Sequence, residues 1–523
     1  MTHDVVLRGG TVLDGTGAPA RLADVAISGD RIAEVGTITA GATRVVDVSG
    51  LVVCPGFIDL HSHADFTVFG APDAVTQVTQ GVTTLVTGNC GFSPFPISPE
   101  YRDDLLAHRL FAGDDDWDWS TAGEYADAVD RLPLGVNLAA QVGHGALRIA
   151  AMGLADRPPT DAELDRMRAL LRESAAGGAV GFSTGLIYAP GTFADTAEVL
   201  ALGAEAAAAG LLYSTHMRGE GGELAAAVEE ALTVARRTGV RLEISHLKAA
   251  GRANWGTVGT ALAAIEDARR DGVDVSADQY PYTAASTTLT ASLPTWAMDG
   301  GVPALLDRLA DPAESARITA ELDAAYGRTF WPEATVVADT PDGPYLEFVG
   351  RTVMDLAADR GLSPGAALVE LLRGQRAQVS VIHHSMAEED VRLVMTQPFV
   401  AVASDGWVLE CPGAGRPHPR SLGTFTRVLG HYTRDEQVLD LPAAVRKMTS
   451  LPAWRLGWTD RGVVRTGAVA DLVAFDPDAV TDNATFDEPW QLSTGVEYTL
   501  LAGVPVLDGG RPTGIPAGRV LRR

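Results

Sequence analysis

Repeated alternation of short apolar runs with amphipathic runs predicts an α/β chain built around a (β/α)8 barrel, with a small β domain made from both chain ends. Three observations carry this. The middle of the chain alternates strand-like and helix-like segments, which is the signature of parallel βαβ units. Eight or nine such strands can be counted, which favours a closed barrel over an open sheet. Both termini are instead β-rich and divided by glycine turns.

At the N-terminus, DVVLRGGTVLDG, ADVAISGDRIAEVG and TRVVDVSGLVV read as strands, and GAVADLVAFDP and VEYTLLAGVPVLDGGR read the same way near the C-terminus. Residues 1–55 together with 460–523 are therefore expected to share one small domain, with the barrel over 56–459 inserted between them. Within the barrel the strand-like runs are the one leading to His61, then 83–88, 137–143, 180–185, 211–216, 241–246, 274–280, 379–384 and 399–405. The helix-like run GELAAAVEEALTVARRTG has apolar residues at helical spacing and ends at Gly239, a C-cap position. Segment 290–375 breaks the spacing and is too long for an ordinary loop, so a helical insertion or lid is expected there.

The chain has 523 residues, 46% hydrophobic and 21% charged, as in a soluble globular protein. Its net charge of −26 argues against nucleic acid and anionic membrane as partners. Cys54, Cys90 and Cys411 form no disulfide framework, no signal peptide is visible, and no apolar stretch is long enough to span a bilayer. A cytoplasmic location is the expectation.

The run LVVCPGFIDLHSH stops abruptly at His61-Ser62-His63. Residues two apart on a strand face the same way, so two imidazoles end one strand face, placed to grip one metal ion. Other polar residues fall at the ends of later strands: Cys90, His216, His246 and Asp405. In a barrel these C-terminal ends converge on one mouth. A metal site there is the reading.

This set resembles the amidohydrolase superfamily. Many of its members bridge two metals with a carboxylated lysine, but the chain has two lysines, Lys248 and Lys447, and neither lies between His63 and His216. Cys90 is the substitute, since a thiolate is a strong zinc ligand. TGNCGFS (87–93), GFSTGLIYAPG (181–191), THMRGEGG (215–222), EISHLK (243–248), DQYPYTAAST (278–287), ASDG (403–406) and HPRSLGTF (418–425) together resemble the N-acyl-D-amino-acid deacylases, the D-aminoacylases. The resemblance implies an amidohydrolase barrel with a small β-sandwich domain. It implies one zinc held tightly by Cys90, His216 and His246, and a second, weaker site at His61, His63, Cys90 and Asp405. It also implies hydrolysis of the linear amide of an N-acyl-D-amino acid, with metal-bound water as nucleophile and Asp405 as general base and acid. Lys248, Tyr280, Ser286 and Arg420 are the implied substrate-binding residues, suited to a free α-carboxylate.

Weaker candidates remain. Arg218 and Glu220 are either orienters of the metal ligands or an exposed loop pair. His383 and His384 end an apolar run that could face the pocket, and His144 is either pocket wall or structural turn. Tyr282 and Cys54 read as core residues, and Cys411 has no evident metal partner. Trp407 and the long ECPGAGRPHPR loop stand near the presumed acyl or side-chain pocket. Hydrolysis of a cyclic amide, hydrolysis of a specialised D-configured conjugate, and a non-catalytic zinc-binding scaffold are the rival readings.

Overall fold

The computed structural model describes residues 2–108 and 117–523. Eight parallel strands form the barrel: β1 (Phe57–Asp59), β2 (Val82–Thr87), β3 (Asn137–Gly143), β4 (Gly181–Gly185), β5 (Leu212–His216), β6 (Arg241–Ile244), β7 (Val275–Gln279) and β8 (Val400–Val402). Each pairs with the next in sequence order. Almost every strand residue is buried, as expected where helices cover one face and the barrel interior the other.

The helices form where caps and periodicity agree. Asp161–Ala176 opens with a reciprocal capping box between Thr160 and Glu163. Leu224–Thr238 buries Leu224, Ala227, Val228, Ala231, Leu232, Val234 and Ala235, and ends at Gly239, whose φ of 72° suits a residue without Cβ.

The seam between β8 and β1 is not a long ladder. It closes through one parallel bridge, Ser62 with Gly406. The Asp405 N–H donates to the His61 carbonyl at 2.8 Å, and the His63 N–H to the Gly406 carbonyl at 2.8 Å. Below them the buried Asp59 carboxylate accepts from the Ser404 N–H at 2.9 Å, from the Ser404 hydroxyl and from the His61 N–H at 3.3 Å. The backbone that shuts the barrel is thus the backbone that carries His61, His63 and Asp405.

At the opposite end, Arg455 plugs the barrel floor, its Nε 2.9 Å from the buried Glu243 carboxylate. A second sheet combines strands from both chain ends: Val52–Pro55 pairs with His3–Val12 on one side and with Leu472–Phe475 on the other.

The run 379–384 is not a barrel strand, contrary to the sequence expectation. Ser380–His383 lies between Ala285–Thr288 and Thr335–Asp339 in an antiparallel three-stranded sheet. A buried apolar run of four to six residues fits either setting, so periodicity alone does not separate them. This sheet and the helices Gly301–Ala310, Pro312–Ala325, Val353–Arg360 and Pro364–Gly374 enclose their own core around Leu305, Leu322, Leu368 and Val381. The insertion is therefore mixed, with strands as well as helices. No helix among the described residues is long and apolar enough to cross a membrane.

Asp59→Ala removes the acceptor for two backbone N–H groups buried at the seam. Denaturant unfolding is expected to show a loss of about 2–4 kcal/mol; an unchanged midpoint would mean that the seam closes without Asp59.

Candidate metal centre and active site

Six side chains converge at the barrel mouth. The Cys90 sulfur lies 3.3 Å from His61 Nε2 and 3.5 Å from His246 Nε2. Donor atoms of Cys90, His216 and His246 lie within 4.8 Å of one another, and so do those of His61, His63, Cys90 and Asp405. Cys90 belongs to both groups. All six residues are buried.

The backbone is strained to bring them in. Cys90, His246 and Asp405 have φ of 54°, 36° and 50°, a left-handed region that non-glycine residues seldom occupy. Around Cys90 the chain packs so closely that a Cβ on Gly185 would sit 1.9 Å from the Cys90 carbonyl oxygen. Such geometry persists only where the surroundings over-determine it.

The donors fit a cation in their chemistry as well as their spacing. Both ring nitrogens of His216 are buried without a hydrogen-bond partner, and so is His63 Nδ1. Unpaired buried polar atoms are costly, and metal coordination satisfies them. Burial opposes ionisation of the Cys90 thiol, but His61 and His246 outweigh it and hold the thiol well below its ordinary value. That favours the thiolate, the form that ligates.

Burial likewise opposes a charged Asp405. Arg420 and His61, with a hydrogen bond from His63, override it and keep the carboxyl well below the usual range. Arg420 Nη1 lies 2.8 Å from Asp405 Oδ2, and His63 Nε2 lies 3.1 Å from Oδ1.

Asp278 was not singled out from sequence. It is the penultimate residue of β7 and reaches two candidate ligands: Oδ1 accepts from the His246 backbone N–H at 2.7 Å, and Oδ2 lies 3.3 Å from His61 Nδ1. The available signal was its register, one more acidic residue at a strand end inside the DQY run. Glu220 also turns inward. Its Oε1 lies 2.5 Å from Lys248 Nζ and 3.0 Å from His246 Nδ1. Arg218 turns away and pairs with Glu230 at 2.9 Å, so the two do not act as a pair.

The proposed substrate-binding residues line the same cleft, a space of about 180 Å³ that also touches Phe92, Tyr188, Trp331, His383 and Trp407. The Tyr280 hydroxyl is buried without a partner. Arg420 and Lys248 flank its ring, 4.9 Å and 5.6 Å from the centroid. Arg420 Nη1, although close to Asp405, makes no aligned hydrogen bond, and Nη2 donates to the Ser286 carbonyl at 3.2 Å. Ser286 lines the cleft as well.

The remaining candidates fall elsewhere. His384 packs against Phe486. His144 is buried against Glu198 at 2.7 Å, which also pairs with Arg148, and it does not line the cleft. Cys54 is buried in the end-strand sheet, and Cys411 stands apart from the donor groups.

A family model described as the amidohydrolase family matches residues 44–507. The chain is similar to the N-acyl-D-glutamate deacylase of Alcaligenes xylosoxydans xylosoxydans, with 39% identity over 521 residues, 99% of this chain and 96% of that protein. It is equally similar to a D-aminoacylase of the same organism, 39% identical over 526 residues, covering 99% and 98%. Among solved structures it resembles N-acyl-D-glutamate deacylase from Bordetella bronchiseptica, complexed with zinc and a phosphonate mimic of the tetrahedral intermediate. There the TM-score is 0.87, the identity 36%, and the coverage 100% of each chain.

Asp278→Ala is expected to weaken zinc binding about 10–100-fold, the usual cost of losing a residue that orients metal ligands. Competition with a chromophoric chelator measures this, and wild-type affinity would show that Asp278 orients neither histidine.

Proposed function

The chain belongs to the amidohydrolase family, and from that membership we propose that it hydrolyses N-acyl-D-amino acids to a carboxylic acid and a free D-amino acid. One observation carries the reading: the cleft that holds the Cys90-centred donors also holds Arg420, Lys248 and the unpartnered Tyr280 hydroxyl. A metal site alone suits many hydrolyses. A metal site flanked by cations and a free hydroxyl suits a substrate that carries its own carboxylate next to the scissile amide.

Cys90, His216 and His246 hold the tightly bound zinc in this reading, and His61, His63, Cys90 and Asp405 form the weaker site. Zinc, when bound, supplies a Lewis acid that polarises the amide carbonyl and acidifies water. Asp405, kept ionised by its neighbours, takes a proton from the attacking water and returns it to the departing nitrogen. Arg420, Lys248, Tyr280 and Ser286 fix the α-carboxylate, which sets the distance from that anchor to the amide. Glu220 holds the Lys248 ammonium in place.

The substrate's side chain is neutral. Lys248 and Arg420 are the lysine and arginine among the described residues that line the cleft, and each already faces a carboxylate of the protein. No third permanent cation stands among them to receive a second substrate carboxylate, while Trp331, Phe330 and Trp407 offer apolar wall.

Amine release from matched N-acetyl-D and N-acetyl-L amino acids tests the reaction. Chelator-sensitive turnover of D isomers, with leucine preferred to glutamate, is the expected result. Absence of turnover in the zinc-loaded protein would refute the reaction, and a preference for glutamate would refute the neutral pocket. Lys248→Met should raise KM about 10–100-fold through loss of a charge-assisted contact; an unchanged KM would remove Lys248 from the carboxylate site.

A further inference from the structure

A second, larger hollow of about 650 Å³ adjoins the catalytic cleft. The two share walls at Phe92, Ile187, Tyr188, Thr288 and Ala291. A hydrogen bond of 3.1 Å between the Tyr188 hydroxyl and Thr287 Oγ1 marks the neck between them. Beyond the neck the hollow continues between the barrel mouth and the insertion, past Leu154, Leu293, Met298 and Val302.

We propose that this hollow receives a long apolar acyl chain, so that the preferred substrates are N-acyl-D-amino acids with acyl groups of medium or greater length. The inference rests on the deacylase reading and names the acyl class that the reading leaves open.

Barrel topology gives the direction. Lys248, Tyr280 and Arg420 follow β6, β7 and β8, so the carboxylate end of the substrate lies on that side of the mouth. Phe92 follows β2, and Ile187 and Tyr188 follow β4, on the opposite side. An amide carbon at the metal centre has the amino-acid half on one side and the acyl half on the other. With the first anchored near β6–β8, the second points toward β2–β4 and the neck. The Tyr188 ring already stands against His216, their centroids 4.9 Å apart, so a group passing the neck starts beside the metal centre. The hollow's wall mixes apolar side chains such as Phe92, Ile187, Leu154 and Leu293 with polar ones such as Thr290 and Asp339, and a small acetyl group would leave its apolar part uncovered.

Calorimetry on the zinc-loaded Asp405→Asn protein, which is expected to bind without turnover once the proposed general base is lost, decides the matter. It compares N-octanoyl-D-alanine, N-acetyl-D-alanine and N-acetyl-D-phenylalanine. At about fourfold per buried methylene, the octanoyl ligand should bind at least about 30-fold more tightly than the acetyl one. Val302→Trp, introduced in addition, fills the hollow away from the neck; it should erase the octanoyl advantage and leave N-acetyl-D-alanine binding as before. Equal affinity for octanoyl and acetyl ligands overturns the proposal. So does loss of N-acetyl-D-phenylalanine binding in Val302→Trp, because the hollow would then hold the side chain. Wild-type turnover is read in parallel. If no acyl-D-amino acid is cleaved, the deacylase reading fails, while the chain-length dependence of binding still decides the occupant of the hollow.

Discussion

The Cys90 sulfur stands 3.3 Å from His61 Nε2 and 3.5 Å from His246 Nε2, inside both groups of donors at the barrel mouth. The chain has no lysine between His63 and His216 to bridge two metals. The Cys90 thiolate, common to both donor groups, would take that place, and much of the surrounding structure follows from placing it. Cys90 adopts a left-handed backbone, and its carbonyl lies where any side chain on Gly185 would collide. Neither nitrogen of the His216 ring is hydrogen-bonded, and Glu220 Oε2 lies 3.7 Å from Nε2. None of these features favours folding in the absence of a cation, and together they make sense around one.

The charges near the sulfur are arranged in complementary pairs. Asp405 faces Arg420, Glu220 faces Lys248, and Asp278 holds His61 and the backbone of His246. Removing one partner from such a buried pair costs far more than the pair contributes, so the set is maintained as a unit. Barrel closure adds to this coupling. The Ser62–Gly406 bridge and the hydrogen bonds of Asp59 draw β1 and β8 together at the point where His61, His63 and Asp405 depart from them. Fold closure and site assembly are one event at this seam.

Much of this was legible in the chain. The barrel class follows from strand–helix alternation, and the donor residues follow from polar side chains ending apolar runs. The failures have physical causes. The run at 379–384 is apolar and short, and its membership of an antiparallel sheet in the insertion depends on partners over forty residues away. Asp278 does lie in the expected strand, but its reach across to His61 is set by barrel closure and not by its own run. Glu220 and Arg218 are two residues apart yet point to different partners. The hollow beyond Tyr188 is invisible to any motif, since it is a space between two regions that each have their own hydrophobic core.

The most direct test of the account is zinc K-edge X-ray absorption on the wild-type protein loaded with one equivalent of zinc. Ligation by Cys90 predicts one zinc–sulfur distance of about 2.3 Å together with nitrogen or oxygen ligands at about 2.0–2.1 Å, and loss of the sulfur shell in Cys90→Ser. A first shell of nitrogen and oxygen alone in the wild-type protein would contradict the central place given to this sulfur.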